Sequence, residues 1–308
     1  LLGQREHVHL LHVHQKAARH FASGVLGRGG GRRNEVVGTA AVQAALTQHD
    51  GVAARTMVLV HGTRHDAFGH QHAAQDGTAL VTMMLVNNET GCIFPVAEVA
   101  QLLKEKKSRA LLHTDAVQGF LKIPFRADTL GADLISISGH KVGAPKGIGG
   151  LYLGGRVRAP QPLIYGGGQE QGLRSGTEAT GQIAGFAKAV ELRCEHLDET
   201  LAHMAAIKAY AEEALLALGG VVRVGNGQAP HILSVSLVGY PSANVVAELG
   251  SQGICISAGS ACHRGQLSHV YRAMGLDKKT AAGVLRISFG PETTKEDIDA
   301  LTIALKAH

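Results

Sequence analysis

Lys141 stands in SISGHKVGAPKG, directly after an apolar, β-branched run and between Ser138, His140 and a glycine- and proline-containing stretch. Alone it reads equally well as a surface loop lysine. At the end of a buried strand, however, a lysine is poorly solvated, which disfavours its charge and lets the amine form a Schiff base. Two other segments that read as strand ends supply complementary groups. HTDAVQ carries Asp115 and, three residues on, Gln118, and VNNETG carries Asn88. An aromatic nitrogen heterocycle with a phenolic oxygen needs a carboxylate to keep its ring nitrogen protonated and an amide to donate to its oxygen. Ser138 and His140 can donate to a phosphate. Together these groups describe a pyridoxal phosphate site.

The elements that would position them follow from the hydrophobic pattern. ALVTMMLV (79–86) is a buried parallel strand, ended by Asn-Asn. PVAEVAQLLKEKK (95–107) is a helix with proline at its first turn, apolar residues at helical spacing and lysines at its end. RALLHTD reads as a strand, IPFRADTLG as a short helix or turn, ADLISISGHK as a strand and GIGGLYLG as another. Strand, helix and strand in that rhythm imply βαβ crossovers and a mostly parallel sheet, with ligands at the carboxyl ends of the strands. A helical stretch over 179–217 then bridges to a smaller α+β region. That region reads ILSVSLVG (strand), SANVVAELGSQGI (helix), CISAGSAC (strand into loop), VYRAMG (helix), GVLRISFG (strand) and KEDIDALTIALKA (helix), with a boundary near residue 195.

From about Thr78 to His308 the sequence resembles the NifS/IscS-like cysteine desulfurases of the class-V aminotransferase family, which are fold-type-I pyridoxal phosphate enzymes. VNNETG, HTDAVQ, SGHKVGAPKGIGGLYL, GGGQEQGLRSGTEAT, GSAC and LRISFG occur in the family's order. The resemblance implies an α/β fold: a three-layer, mostly parallel sheet of the transferase type, incomplete at its N-terminal side, with a smaller C-terminal α+β domain. It implies that Lys141 is the Schiff-base lysine, Asp115 the partner of the ring nitrogen, Gln118 and Asn88 the donors on the ring-oxygen side, and Ser138 and His140 phosphate ligands. Thr177, in RSGT, resembles the residue offered to the phosphate of a neighbouring subunit, which implies a homodimer with shared sites. Arg286, in LRISFG, resembles the arginine that binds the substrate carboxylate, where a planar bidentate donor suits the geometry. The resemblance implies that Asn88 lies on the substrate side as well.

Cys262 resembles the family's sulfur-accepting cysteine. That chemistry needs a thiolate on an exposed, movable loop. GSACHRGQLSH is small, polar and glycine-containing, with His263 and Arg264 beside the sulfur to favour the anion. Cys92, Cys194 and Cys255, with apolar or helical neighbours, read as small buried hydrophobes. The implied reaction converts L-cysteine to L-alanine and leaves a persulfide on Cys262, from which sulfur passes to an acceptor such as an iron–sulfur scaffold protein. GSAC and its loop resemble the group of the family that passes sulfur directly to scaffold proteins, although the segment between Cys262 and YRAMG is slightly shorter than is common in that group. Selenocysteine lyase and other class-V aminotransferase-like enzymes are the enzymatic alternatives, and a catalytically impaired remnant or a His-rich metal-binding protein the non-enzymatic ones.

Composition narrows the classes. The 308 residues are 45% hydrophobic, enough for a large core. A net charge of +5 comes from scattered lysines and arginines without a basic helix, so nucleic-acid binding is not expected. No apolar run is long enough for a membrane helix and no signal peptide is recognisable, which points to the cytoplasm. Four cysteines at irregular spacing form neither a disulfide scaffold nor a metal framework.

Residues 1–77 stand apart. Ten of the 18 histidines fall there, without sustained periodicity. FASG (21–24) and RHDA (64–67) echo the family's phosphate turn and ring-stacking histidine but lie too close to Asn88. The segment reads as an out-of-frame translation, a divergent folded replacement, or a His-rich extension in which HVHLLHVH lacks a closing ligand set; no metal site is assigned. The expected division is 1–77, a cofactor domain over 78–195 and a small domain over 196–308.

Overall fold

The run TALVTMM forms strand β3 (Thr78–Met84), buried along most of its length, inside a six-stranded sheet. The structure, a computed structural model, describes residues 8–9, 56–59, 78–157, 162, 164–258 and 268–306. The sheet order is β1 (Val8–His9), β6 (Gly149–Leu153), β5 (Leu134–Ser138), β4 (Leu111–Asp115), β3 and β2 (Thr56–Leu59). From β2 to β5 neighbouring strands pair in parallel. β6 runs antiparallel to β5, contrary to the parallel rhythm expected for GIGGLYLG. The cause is its connection: between Ser138 and Gly149 lies only a short 3-10 turn, Gly139–Lys141, and a strand joined without a crossover helix doubles back. Two short strands, β1 and β2, come from the segment set apart in the sequence, and both pair into the sheet.

Helix α1 (Val96–Glu105) buries Val96, Val99 and Leu103, the stripe expected of a helix lying on a sheet. These join Val81, Met83 and Leu112 in one core. Helix α2 (Ala127–Leu130) ends at Gly131, whose φ of 71° is the left-handed cap that glycine adopts without strain.

The helical stretch expected over 179–217 is two helices, α3 (Thr180–Glu195) and α4 (Leu197–Leu216), broken at His196, where φ is −130°. A four-stranded antiparallel sheet follows, in the order β7 (Val221–Arg223), β8 (Ile232–Leu237), β10 (Val284–Ser288) and β9 (Ser257–Ala258). Met204, Ile207, Ala211 and Leu215 of α4 pack on Leu233, Val235 and Leu285 of this sheet. Helices α5 (Ser242–Ser251), α6 (His269–Ala273), α7 (Lys278–Ala282) and α8 (Lys295–Leu305) complete the unit. α8 opens with a capping box in which Thr294 and Asp297 satisfy each other's backbone N–H. Among the described residues no helix is long and apolar enough to cross a membrane.

The two sheets meet at the turn that follows β3. Buried Asn87 accepts from the backbone N–H of Glu89 and Thr90, each at 2.9 Å, and from the Thr90 hydroxyl at 3.1 Å. This asparagine turn holds NNETG in one shape and leaves Asn88 exposed at its tip. Across the junction the Ala229 N–H donates to the Gly91 carbonyl at 2.9 Å, and the Ile93 N–H donates to Gln228 Oε1 at 3.1 Å.

Candidate active site

Asp115 closes β4, next to Ser136 of β5 in the parallel register. Burial pushes its carboxyl above the usual carboxylate range, and the Val117 N–H that donates to its Oδ1 at 2.9 Å pulls the other way. A buried carboxylate of this kind ionises readily only beside a cation. A protonated ring nitrogen is such a cation, so the position suits the role assigned to it. Two residues earlier on the same strand, His113 is fully buried and bridges its neighbours: Nδ1 lies 2.6 Å from the Thr82 hydroxyl on β3, and Nε2 lies 3.0 Å from the Ser136 hydroxyl on β5. Burial lowers its pKa to about 4, so it is a neutral cross-strand tie under the site.

The chain after Asp115 turns tightly, with the Phe120 N–H donating to the Ala116 carbonyl at 2.8 Å. The turn brings Gln118 and Lys122 together, Lys122 Nζ donating to Gln118 Oε1 at 3.1 Å. Burial, followed by repulsion from Lys141, Arg193 and Arg286, lowers the Lys122 amine to about 8. Lys122 was not singled out in the sequence. The only signal was its spacing of four from Gln118 within one turn.

At the end of β5, Ser138 Oγ lies 2.8 Å from His140 Nδ1. Both side chains sit on the turn that carries Lys141, which is exposed. Partial burial, then Lys141, Lys122 and Lys146, lower the His140 pKa, so its ring is largely neutral at neutral pH and can donate one N–H to an anion. The positive charge that depresses it is also what would attract a phosphate.

Arg286 reaches this edge from the other sheet. Its Nη1 donates to the Asn88 carbonyl at 2.9 Å and its Nη2 to Ser257 Oγ at 3.2 Å. Its Nε is buried and has no partner among the described residues. A guanidinium carries five N–H donors, so two contacts leave capacity for a planar carboxylate. Ser257 is a second residue that the sequence did not mark, since a serine in CISAGS has no distinguishing spacing.

The structure thus brings Asp115, Gln118, Ser138, His140 and Lys141 to adjacent strand ends, and ties Asn88 to Arg286. Their chemistry suits pyridoxal phosphate: a carboxylate for the ring nitrogen, an amide for the ring oxygen, a hydroxyl and an imidazole for the phosphate, and an amine for the aldehyde. Thr177 is exposed and lines a small depression with Ile148, Glu170, Arg174 and Ile183 rather than with Asp115 or Asn88. Cys262 and its loop, residues 259–267, lie outside the described residues, as do HVHLLHVH (except Val8 and His9), FASG and RHDA. Cys194 and Cys255 are exposed and Cys92 is partly so, which corrects the reading of all three as buried hydrophobes. Cys194 lies on α3, whose only buried residue is Phe186. Among the described residues no three His, Cys, Asp or Glu side chains are grouped to hold a metal ion.

The sequence profile of the family described as Aminotransferase class-V matches residues 33–301. The match starts upstream of Thr78 and so takes in residues 33–77, although the composition of 1–77 differs from the rest of the chain. The cysteine desulfurase of Trichormus azollae is 41% identical over 227 residues, 72% of this chain and 56% of that protein. The cysteine desulfurase IscS of Clostridium botulinum (strain Hall) is 38% identical over 237 residues, 74% of this chain and 59% of that protein. A solved NifS-like protein superposes with a TM-score of 0.71 at 35% identity, covering 78% of this chain and 63% of the other. The chain therefore spans less than two thirds of the length of these relatives. With its α/β sheet, its antiparallel second unit and the strand-end residues described above, the chain belongs to the class-V aminotransferase family.

Proposed function

We propose that the chain acts as a pyridoxal phosphate-dependent cysteine desulfurase, converting L-cysteine to L-alanine and leaving a persulfide on Cys262. The observation that carries this reading is the convergence of Asp115, Gln118 and Lys141 at neighbouring strand ends with Arg286, which reaches across 198 residues of sequence to Asn88. The relatives named cysteine desulfurase support the same activity. Pyridoxal phosphate, when bound, supplies an electron sink for the substrate's α-carbon. Lys141 would hold the cofactor by its aldehyde, Asp115 would keep the ring nitrogen protonated, and Ser138 and His140 would hold the phosphate. Arg286 orients the substrate by its carboxylate. The Cys262 thiolate attacks the substrate sulfur: the carbon–sulfur bond breaks, a sulfur–sulfur bond forms, and the carbon takes up a proton, so cysteine and a thiol become alanine and a persulfide. The sulfur then passes to a thiol on an acceptor such as an iron–sulfur scaffold protein. We place the enzyme in the cytoplasm as a homodimer in which Thr177 serves the neighbouring subunit's phosphate.

Titration of the purified chain with pyridoxal phosphate tests the first half of this reading. A long-wavelength absorbance band that forms in the wild type and is lost in Lys141→Ala is expected; a wild type without the band contradicts the reading. Cys262→Ser is expected to keep the band and lose sulfide release from L-cysteine. An aminotransferase would not need that thiol.

A further inference from the structure

The contact between Lys122 and Gln118 fixes which end of the Gln118 amide can serve a ligand. An ammonium group has three N–H donors and no lone pair, so only the oxygen of a side-chain amide can face it. Lys122 Nζ lies 3.1 Å from Gln118 Oε1, and the two residues are held four apart in one turn by the Lys122 and Ile123 N–H groups, which both donate to the Gly119 carbonyl. With its oxygen committed to Lys122, Gln118 has only its NH2 group to offer elsewhere. An amide is otherwise indifferent to a flip, and a flipped Gln118 would present an oxygen to a ring oxygen and repel it. Lys122 is half-buried among positive charges, with Lys141, Arg193 and Arg286 close enough to repel it. A cation in such surroundings is held at a cost, which gives weight to the acceptor it meets, Gln118 Oε1.

We propose that Lys122 is a positioning residue that locks the Gln118 amide with its NH2 group outward, as a hydrogen-bond donor to the bound cofactor's ring oxygen. The inference rests on the proposed cofactor for its consequence, but the lock itself is a property of the chain alone. At neutral pH Lys122 is predominantly ammonium, since its pKa lies near 8.

The test uses the full chain with Lys122→Met, which keeps the apolar stem and removes the donors, Lys122→Arg, which keeps charge and donors, and Gln118→Leu. Without cofactor, the side-chain NH2 resonances of Gln118, identified by their loss in Gln118→Leu, are expected to shift in Lys122→Met and to return towards their wild-type positions in Lys122→Arg. With pyridoxal phosphate bound, the pH midpoint of the absorbance band is expected to rise by about one unit in Lys122→Met, because a donor to the ring oxygen favours the more negative state. In the Gln118→Leu background the same substitution is expected to add nothing, as for two residues acting through one contact. An unmoved Gln118 resonance overturns the inference. So does an equal midpoint shift in both backgrounds, which would mean that Lys122 acts by its charge alone. A wild type without the band overturns the proposed function, while the Gln118 resonance still decides the lock.

Discussion

Arg286 joins β10 to the Asn88 carbonyl and to Ser257. In the proposed function its remaining donors would serve the substrate carboxylate as well. Lysine would retain the charge and lose the fork. Arg286→Lys is therefore expected to raise the KM for L-cysteine by roughly 10- to 100-fold, the equivalent of one or two charge-assisted hydrogen bonds, with a smaller change in kcat. Steady-state kinetics on the loaded enzyme measure the split. At this scale the sequence exposed the residues whose type is unusual for their place: a lysine after a buried strand, an aspartate and glutamine on one turn, an arginine inside a strand. It did not expose those that act through geometry. Asn87 was overshadowed by Asn88 because two adjacent asparagines look alike until burial separates them. Lys122 and Ser257 are ordinary residues whose partners are set only by the folded turn and the sheet register.

The turn after β3 shows how elements transmit packing to the site. Gly227, in the loop before β8, lies so close to the Thr90 carbonyl that an added Cβ would sit 2.0 Å from its oxygen. Gly227→Ala must therefore push the NNETG turn, whose tip carries Asn88. It is expected to cost about 1–3 kcal/mol in urea denaturation and to weaken substrate binding, although residue 227 touches none of the proposed ligands. Strands and helices themselves were legible where pattern and connection agree, as in β3, α1, β4 and β5. Two features were not. The direction of β6 depends on the absence of a crossover helix, which periodicity within the strand does not report. The break at His196 falls inside a stretch whose composition is helical on both sides, and it is a change of backbone angle at one residue.

For the molecule as a whole, two buried histidines tie stability to pH. His113 and His231 are held at about 4 and about 3, mainly by burial, and His231 is further opposed by Lys122, Lys208 and Lys141. Both stay neutral in the fold, whereas an unfolded chain protonates them near 6.5. Their contribution is fully present above pH 6.5 and is lost as the pH falls through the folded values, on the order of 3 kcal/mol for His113. The urea midpoint is expected to hold above about pH 6.5 and to fall between there and about pH 4, and a flat profile over that range would contradict this. The matched family region and the sheet both extend into the stretch before Thr78, through the profile match from residue 33 and through β2. That stretch was illegible because TMVL is too short for a period to be counted and its neighbours are biased in composition. Sulfur transfer to Cys262 can be read directly by mass. The full chain, loaded with pyridoxal phosphate and given L-cysteine without an acceptor, is digested under non-reducing conditions and the Cys262 peptide is weighed. The expected result is the mass of one added sulfur atom, removable by a thiol and matched by an equal amount of alanine. Alanine formed with no sulfur on Cys262, or no alanine at all, would contradict the account.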